Sequence, residues 1–175
     1  MLSRPEANEY AEHYADYVAR ASRHENVLKL LLSQEADLKE FMKQLTEEQA
    51  SESPEPGKWS VKEVMGHLCD TERILCYRAL RFARGDEKEL QGFEQDDYVA
   101  AGDFNARTRY DLSTEFKMVR GSTYWLFSNL SPEALMLSGV ASGNRVTVRA
   151  LAYIIAGHVQ RHLELMKARF PKTSV

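Results

Sequence analysis

Apolar residues recur every three or four positions in four separated stretches of the chain, the spacing that lays one stripe along an α-helix. The first predicted helix covers residues 26–45 and buries Val27, Leu30, Leu31, Leu38, Phe41, Met42 and Leu45. SESPEPGKW at 51–59 carries two prolines and a glycine that end any helix, and Ser60-Val61-Lys62-Glu63 then reads as a capping box opening the second, over 60–84. Its stripe is Val61, Val64, Leu68, Thr71, Leu75, Arg78 and Phe82, while Met65, Cys69, Cys76 and Ala79 widen the apolar arc to nearly half the circumference. A helix that apolar is either central to a bundle or half-covered by a second subunit. The third, over 108–129, buries Leu112, Phe116, Val119, Leu126, Phe127 and either Tyr124 or Trp125. Thr147 is the N-cap of the fourth, which ends near Phe170, before Pro171.

The connections carry turn signals. Residues 86–107 form an acidic, aromatic-bearing loop, long enough for a compact domain to suggest a functional or mobile segment. Ser131-Pro132-Glu133 starts one short helical turn, and Ser142-Gly143-Asn144 lies in an irregular stretch flanked by the chain's few strand signals, around Val140 and Val146. Tyr10, Tyr14 and Tyr17 are spaced as on a helix but equally suit an arm laid across the other elements. The expectation is an all-α four-helix bundle, one domain over residues 1–175, with a long crossover between the second and third helices and residues 1–25 as an N-terminal arm or short helix.

Composition narrows the function classes. The net charge is −3 and the pI about 6.0, with Lys and Arg dispersed among the acids, so the basic footprint of a nucleic-acid binder is missing. No apolar run approaches a membrane span, and the first twenty residues alternate charges and aromatics; a cytoplasmic protein is expected. Cys69 and Cys76 sit seven residues apart on one predicted helix, about 10 Å along its axis, too far to bridge. They read as reduced core or interface thiols, and the broad apolar arc around them makes a homodimer reasonable.

The candidate chemistry is histidine. His158 and His162 stand one turn apart within the apolar stripe of the last helix, with Leu151, Ile155 and Leu165 on the same face. Residues i and i+4 lie about 40° apart around the axis and within roughly 6 Å, so both rings can converge on one ion. Buried without partners they would cost about 1–3 kcal/mol per unsatisfied nitrogen, a cost that a metal removes. His67, at the edge of the second helix's stripe, can supply a third imidazole, and a three-His site with an open position is a recurrent catalytic zinc arrangement. His13 and His24 fall among charged residues and read as solvated surface.

These motifs resemble those of the DinB-like family, metal-binding four-helix bundles that include the bacillithiol- and mycothiol-dependent transferases. The resemblance lies in PGKWSVKEVMGHLCDTERILCYRALRFARGD at 56–86, GFEQDDY at 92–98, NARTRYDL at 105–112 and SGNRVTVRALAYIIAGHVQRHLELMKARF at 142–170. It implies that His67, His158 and His162 bind one divalent ion, zinc or nickel, and that a low-molecular-weight thiol is a cosubstrate in S-transfer to a small electrophile.

Around that site the residues leave alternatives open. Asp70 and Glu63 lie within a turn of His67 and either orient it or belong to a solvated face, where Asp70 pairs with Arg73. Trp59 and Val64 have the spacing of a hydrophobic staple. Arg161 either anchors an anionic group of a small-molecule substrate or pairs with Glu164. Asp96, Asp97, Tyr98, Asn105 and Arg107 either rim a pocket or cap helices and form surface ion pairs. Water in place of the thiol would make the protein a hydrolase, and a closed coordination sphere would make it a non-catalytic, stress-response binding bundle.

Overall fold

The computed structural model describes residues 2–170. Its helices are α1 (Ala15–Ala21), α2 (Val27–Lys43), α3 (Glu47–Ser51), α4 (Val61–Ala83), α5 (Gln95–Ala101), α6 (Arg109–Ser128), α7 (Pro132–Met136) and α8 (Val148–Arg169). Four of them, α2, α4, α6 and α8, form the expected bundle. Each starts at a side-chain cap: Asn26, Ser60, Thr108 and Thr147 accept hydrogen bonds from first-turn amides that would otherwise be orphaned. The stop expected at Pro171 lies outside the described residues.

Cross-helix contacts fix the directions. Arg109 at the start of α6 donates to Met42 O and Leu45 O beyond the end of α2, while Arg120 reaches back to Leu31 O, so α2 and α6 are antiparallel. Glu47 pairs with both Lys62 and Arg109, and Glu72 pairs with Arg120, so α4 and α6 run parallel. A parallel pair cannot be joined by a tight turn, which is the physical reason for the long crossover at 84–108.

The crossover is more structured than the sequence suggests. It contains α5 and a 3₁₀ turn at Phe104–Ala106, and Leu90 pairs with the strand Ser138–Ala141 (β1). The stretch expected to be irregular is a two-stranded hairpin of β1 and β2 (Asn144–Thr147), joined through Ser142 and Gly143 at φ 53° and 74°. Positive φ at both central residues is the geometry whose twist matches a tight hairpin. The proline-rich connection also holds a helix: Thr46 and Gln49 make a reciprocal capping box that nucleates α3 ahead of the prolines.

The N-terminal segment is both a short helix and an arm. It lies on α8, tied by Glu9, which accepts from Thr147 Oγ1 and Arg149 Nε, each at 2.7 Å, and by Tyr153, whose hydroxyl donates to Leu2 O at 3.0 Å. The Arg149 guanidinium beside Glu9 holds its carboxyl down to about 2. Two apolar clusters fill the bundle, one under the arm around Leu31, Phe82 and Ile154, the other at the far end around Phe41, Leu68 and Phe116. Between them sits a polar layer in which Arg120 donates to Glu72 Oε2 at 2.7 Å and Gln34 Oε1 at 2.9 Å, and Gln34 donates to Ala156 O at 2.8 Å.

Where the sequence left Tyr124 or Trp125 for the core, Tyr124 is half-buried and Trp125 exposed. Leu165, expected inside, is 57% exposed, because α1 ends near Arg20 and Glu164 and leaves the last turns of that face uncovered. His13 and His24 are exposed as expected. Among the described residues, no helix is long and apolar enough to cross a membrane.

Candidate metal centre

His67 comes from the second turn of α4, and His158 and His162 from successive turns of α8, which packs antiparallel on it. The structure brings all three together: one ligand atom from each lies within 4.8 Å of the others, and the ring centroids are 4.6 to 5.2 Å apart. His67 Nε2 faces His158 Nε2 at 3.0 Å, and His67 Nδ1 lies 3.3 Å from Thr71 Oγ1. Two Nε2 atoms facing each other need either a shared proton or a cation. No cysteine or carboxylate joins the cluster among the described residues.

Both buried histidines follow a glycine, and each glycine admits another segment. A Cβ on Gly66 would come within 2.3 Å of the Phe104 ring, so only glycine lets the crossover seat against α4 beside His67. A Cβ on Gly157 would lie 1.9 Å from the Tyr17 carbonyl oxygen, so α1 crosses α8 at backbone contact and sets the Tyr17 ring edge-on to His158, centroids 5.4 Å apart. Gly157→Ala should push the arm off α8 and cost about 2 kcal/mol, an overpacking effect read by chemical denaturation and by faster proteolysis near Tyr17. Unchanged stability together with unchanged cleavage would show that the close crossing does not hold the arm.

Burial makes these imidazoles neutral. It holds His67 down to about 4, against a smaller opposing pull from Asp96, and His162 down to about 3; His158 is also pushed well below its ordinary 6.5. Neutral rings with free lone pairs are what a borderline divalent ion binds, so the donor set fits a metal. His67 and His158 line a cleft of about 270 Å³, whose walls also include Tyr17, Thr71, Leu75, Arg78, Phe93 and Glu94; His162 lies outside that lining.

Other sequence candidates are placed variously. Asp70 pairs with Arg73, which also holds Glu115, and Arg107 pairs with Glu115 as well; this network occupies the α4–α6 side, away from the cleft lining. Glu63 closes the capping box at Ser60 N, and Asn105 accepts from Ser60 Oγ. Asp96 and Asp97 are exposed in the first turn of α5, Asp96 close enough for its charge to act on His67. Tyr98 packs edge-on against Phe93, a cleft wall. Arg161 stacks on the Tyr17 ring rather than pairing with Glu164, whose partner is Arg20.

Sequence reasoning missed three neighbours of the site. Trp59 shares the second cluster with Val64, as a staple should, but its ring also lies 4.7 Å from that of His67. In the sequence Tyr17 suits a helix and an arm equally. Arg78 falls on the apolar stripe of the second helix, where an arginine is itself a signal.

A DinB superfamily model matches residues 30–166. The chain belongs to the DinB superfamily. A protein of Oceanobacillus iheyensis named as a putative metal-dependent hydrolase is 25% identical over 142 residues, covering 78% of this chain and 79% of its own length. YfiT from Bacillus subtilis, described as a probable metal-dependent hydrolase with an unusual four-helix bundle topology, superposes with a TM-score of 0.76 at 14% identity, over 98% of this chain and 95% of YfiT. A mycothiol-dependent maleylpyruvate isomerase superposes with a TM-score of 0.65 at 14% identity, over 79% of this chain but 58% of the isomerase. The bundle is thus a DinB fold, and its three neutral imidazoles lie in one cluster.

Proposed function

We propose that this chain is a metal-dependent enzyme that transfers a small thiol to an electrophilic carbon of a second small molecule. The observation that carries the reading is the convergence of His67, His158 and His162, without a fourth side-chain ligand among the described residues, with His67 and His158 lining a cleft. A divalent ion, zinc or nickel, held by these three would supply the Lewis acidity that makes a thiol or water acidic near neutral pH. The chain's own residues do the rest. Thr71 fixes the orientation of His67 through Nδ1, and Trp59 and Tyr17 wall the imidazoles from solvent. The proton the nucleophile gives up passes to solvent or to the departing group; Asp96, exposed on α5, acts on His67 only through its charge.

The nucleophile comes from outside. Burial pushes the thiols of Cys69 and Cys76 up, away from the reactive thiolate, and neither joins the histidines. In the transfer, a sulfur–carbon bond forms as the leaving group departs with its electron pair. Purified metal-loaded protein should consume a thiol and an electrophile in equal amounts in a screened panel, and the H158A variant should not. Turnover of esters or amides without thiol would favour the hydrolytic reading, which the full-length likeness to YfiT supports. Inertness toward both panels would leave the non-catalytic bundle.

Pairing of two copies belongs to the same reading. The exposed side of α6 carries Met118 and Trp125, 71% and 67% exposed, with Gly121 and Ser122 between them; Tyr77 and Leu80 of α4 extend the strip. An antiparallel crossing centred on Gly121 and Ser122 sets Met118 against the partner's Trp125, and the same contact repeats by symmetry. Trp125→Glu is expected to halve the mass measured by light scattering. A wild-type protein already monomeric at tens of micromolar would remove the dimer.

A further inference from the structure

We propose that Arg78 is the recognition site for a substrate carboxylate, so that the molecule turned over is a small organic acid. Arg78 is almost fully buried, at 4% exposure, and lines the same cleft as His67 and His158. Its Nη2 donates to Gln91 O at 2.9 Å and Ser142 Oγ at 3.1 Å, which anchors the guanidinium between the crossover and the hairpin turn. Neither partner is charged. Among the described residues no carboxylate lies within ion-pair distance; Glu94, which lines the same cleft, is exposed and makes no ion pair with it. Nε and Nη1 make no hydrogen bond, and neither is among the polar atoms sealed from solvent.

The contrast within the same fold is direct. Arg120, the other arginine buried in the bundle, is neutralised by Glu72, as a buried charge ordinarily must be. Arg78 has no acidic partner and lines a cleft, where an oxyanion would both neutralise the charge and accept the hydrogens that Nε and Nη1 leave unused. His67, Thr71, Leu75 and Arg78 follow one face of α4 at successive spacings of four, four and three residues, so Arg78 lies toward the far end of the cleft face from His67. Leu75, Ile154 and Phe93 make the span between them apolar. A ligand with a carboxylate at one end, a short hydrocarbon middle and its reacting carbon toward the histidines matches that order. The assignment of the reacting end rests on the metal-enzyme reading; the anion site does not.

The test is calorimetric titration of hexanoate and its neutral isostere hexanamide into wild-type and R78Q protein, each metal-loaded and chelated. Hexanoate should bind the wild type at least about tenfold more tightly than the amide in both metal states, and R78Q should erase the difference with metal content and helical circular dichroism intact. Because a carboxylate can also ligate a metal, the chelated measurement decides. Equal binding of acid and amide to chelated wild-type protein, or a preference that survives R78Q, overturns the inference. If R78Q does not fold, R78K serves: it keeps the charge but cannot hold both Gln91 and Ser142 while donating to the ligand, and an undiminished preference there counts against the site. Failure of the histidines to take up metal would sink the enzyme reading and leave the chelated result standing; metal uptake without acid preference would sink Arg78 alone.

Discussion

His158→Ala is expected to weaken metal binding by at least about 100-fold, because loss of a hydrogen-bonding partner outside the ligand set already costs 10–100-fold and loss of a ligand costs more. Of the three histidines it is the decisive one: buried, with its Nε2 3.0 Å from that of His67 and its ring within centroid distances of 4.6 and 4.9 Å of the other two. Elemental analysis after gel filtration should find the wild type loaded with one ion and the variant nearly empty. The fold should persist in both, since two apolar clusters hold the bundle on either side of the trio and neither depends on a metal. Added zinc or nickel should accordingly raise the unfolding temperature of the wild type and leave that of the variant unmoved. A variant that keeps stoichiometric metal places the ion elsewhere. Cooperative loss of helix from the chelated wild type would make the metal structural and shift weight to a binding protein.

Much of the bundle was legible because each long helix carries a clean period and a side-chain cap. Asn26, Ser60, Thr108 and Thr147 mark starts within a residue of where the stripes begin. The crossover was legible as a length but not as a structure: α5 is seven residues, too short for a period to emerge, and it is held by Phe104 seated on Gly66, a contact between distant positions. The hairpin failed for a related reason, since four-residue strands give two alternations at most, although Ser142-Gly143 is turn chemistry. At the site, the three histidines were readable from helical spacing and apolar surroundings. Tyr17 and Trp59 were not, because their contacts depend on how the arm and the α4 entry fold back. Asp70 and Arg107 show the converse: nearness in sequence to His67 or to the crossover says little about direction, and Glu115 on α6 draws both into a network on another side.

The polar layer between the two apolar clusters was written in the stripes as interruptions, one on each of three helices: Gln34, Glu72 and Arg120 sit where a leucine is expected. It sets up the largest stability effect in the molecule. Glu72 and Arg120 are each 1% exposed in their side chains, and their contact at 2.7 Å is sealed from water. Glu72 Oε1 and Arg120 Nε have no partner, so the pair is held by fewer hydrogen bonds than its charges call for. Arg120→Met leaves the Glu72 carboxylate buried and uncompensated, strands Gln34 Oε1, which Arg120 satisfies at 2.9 Å, and removes the second donor to Leu31 O at 3.2 Å. The expected loss is about 3–5 kcal/mol by urea denaturation at pH 7. Adding Glu72→Met should recover most of the loss, because two apolar side chains fill the layer without any charge to desolvate. A double variant no more stable than Arg120→Met would mean that the damage comes from Gln34 and the α2 carbonyl, and that the layer acts as a hydrogen-bond clamp between α2 and α6 more than as an ion pair.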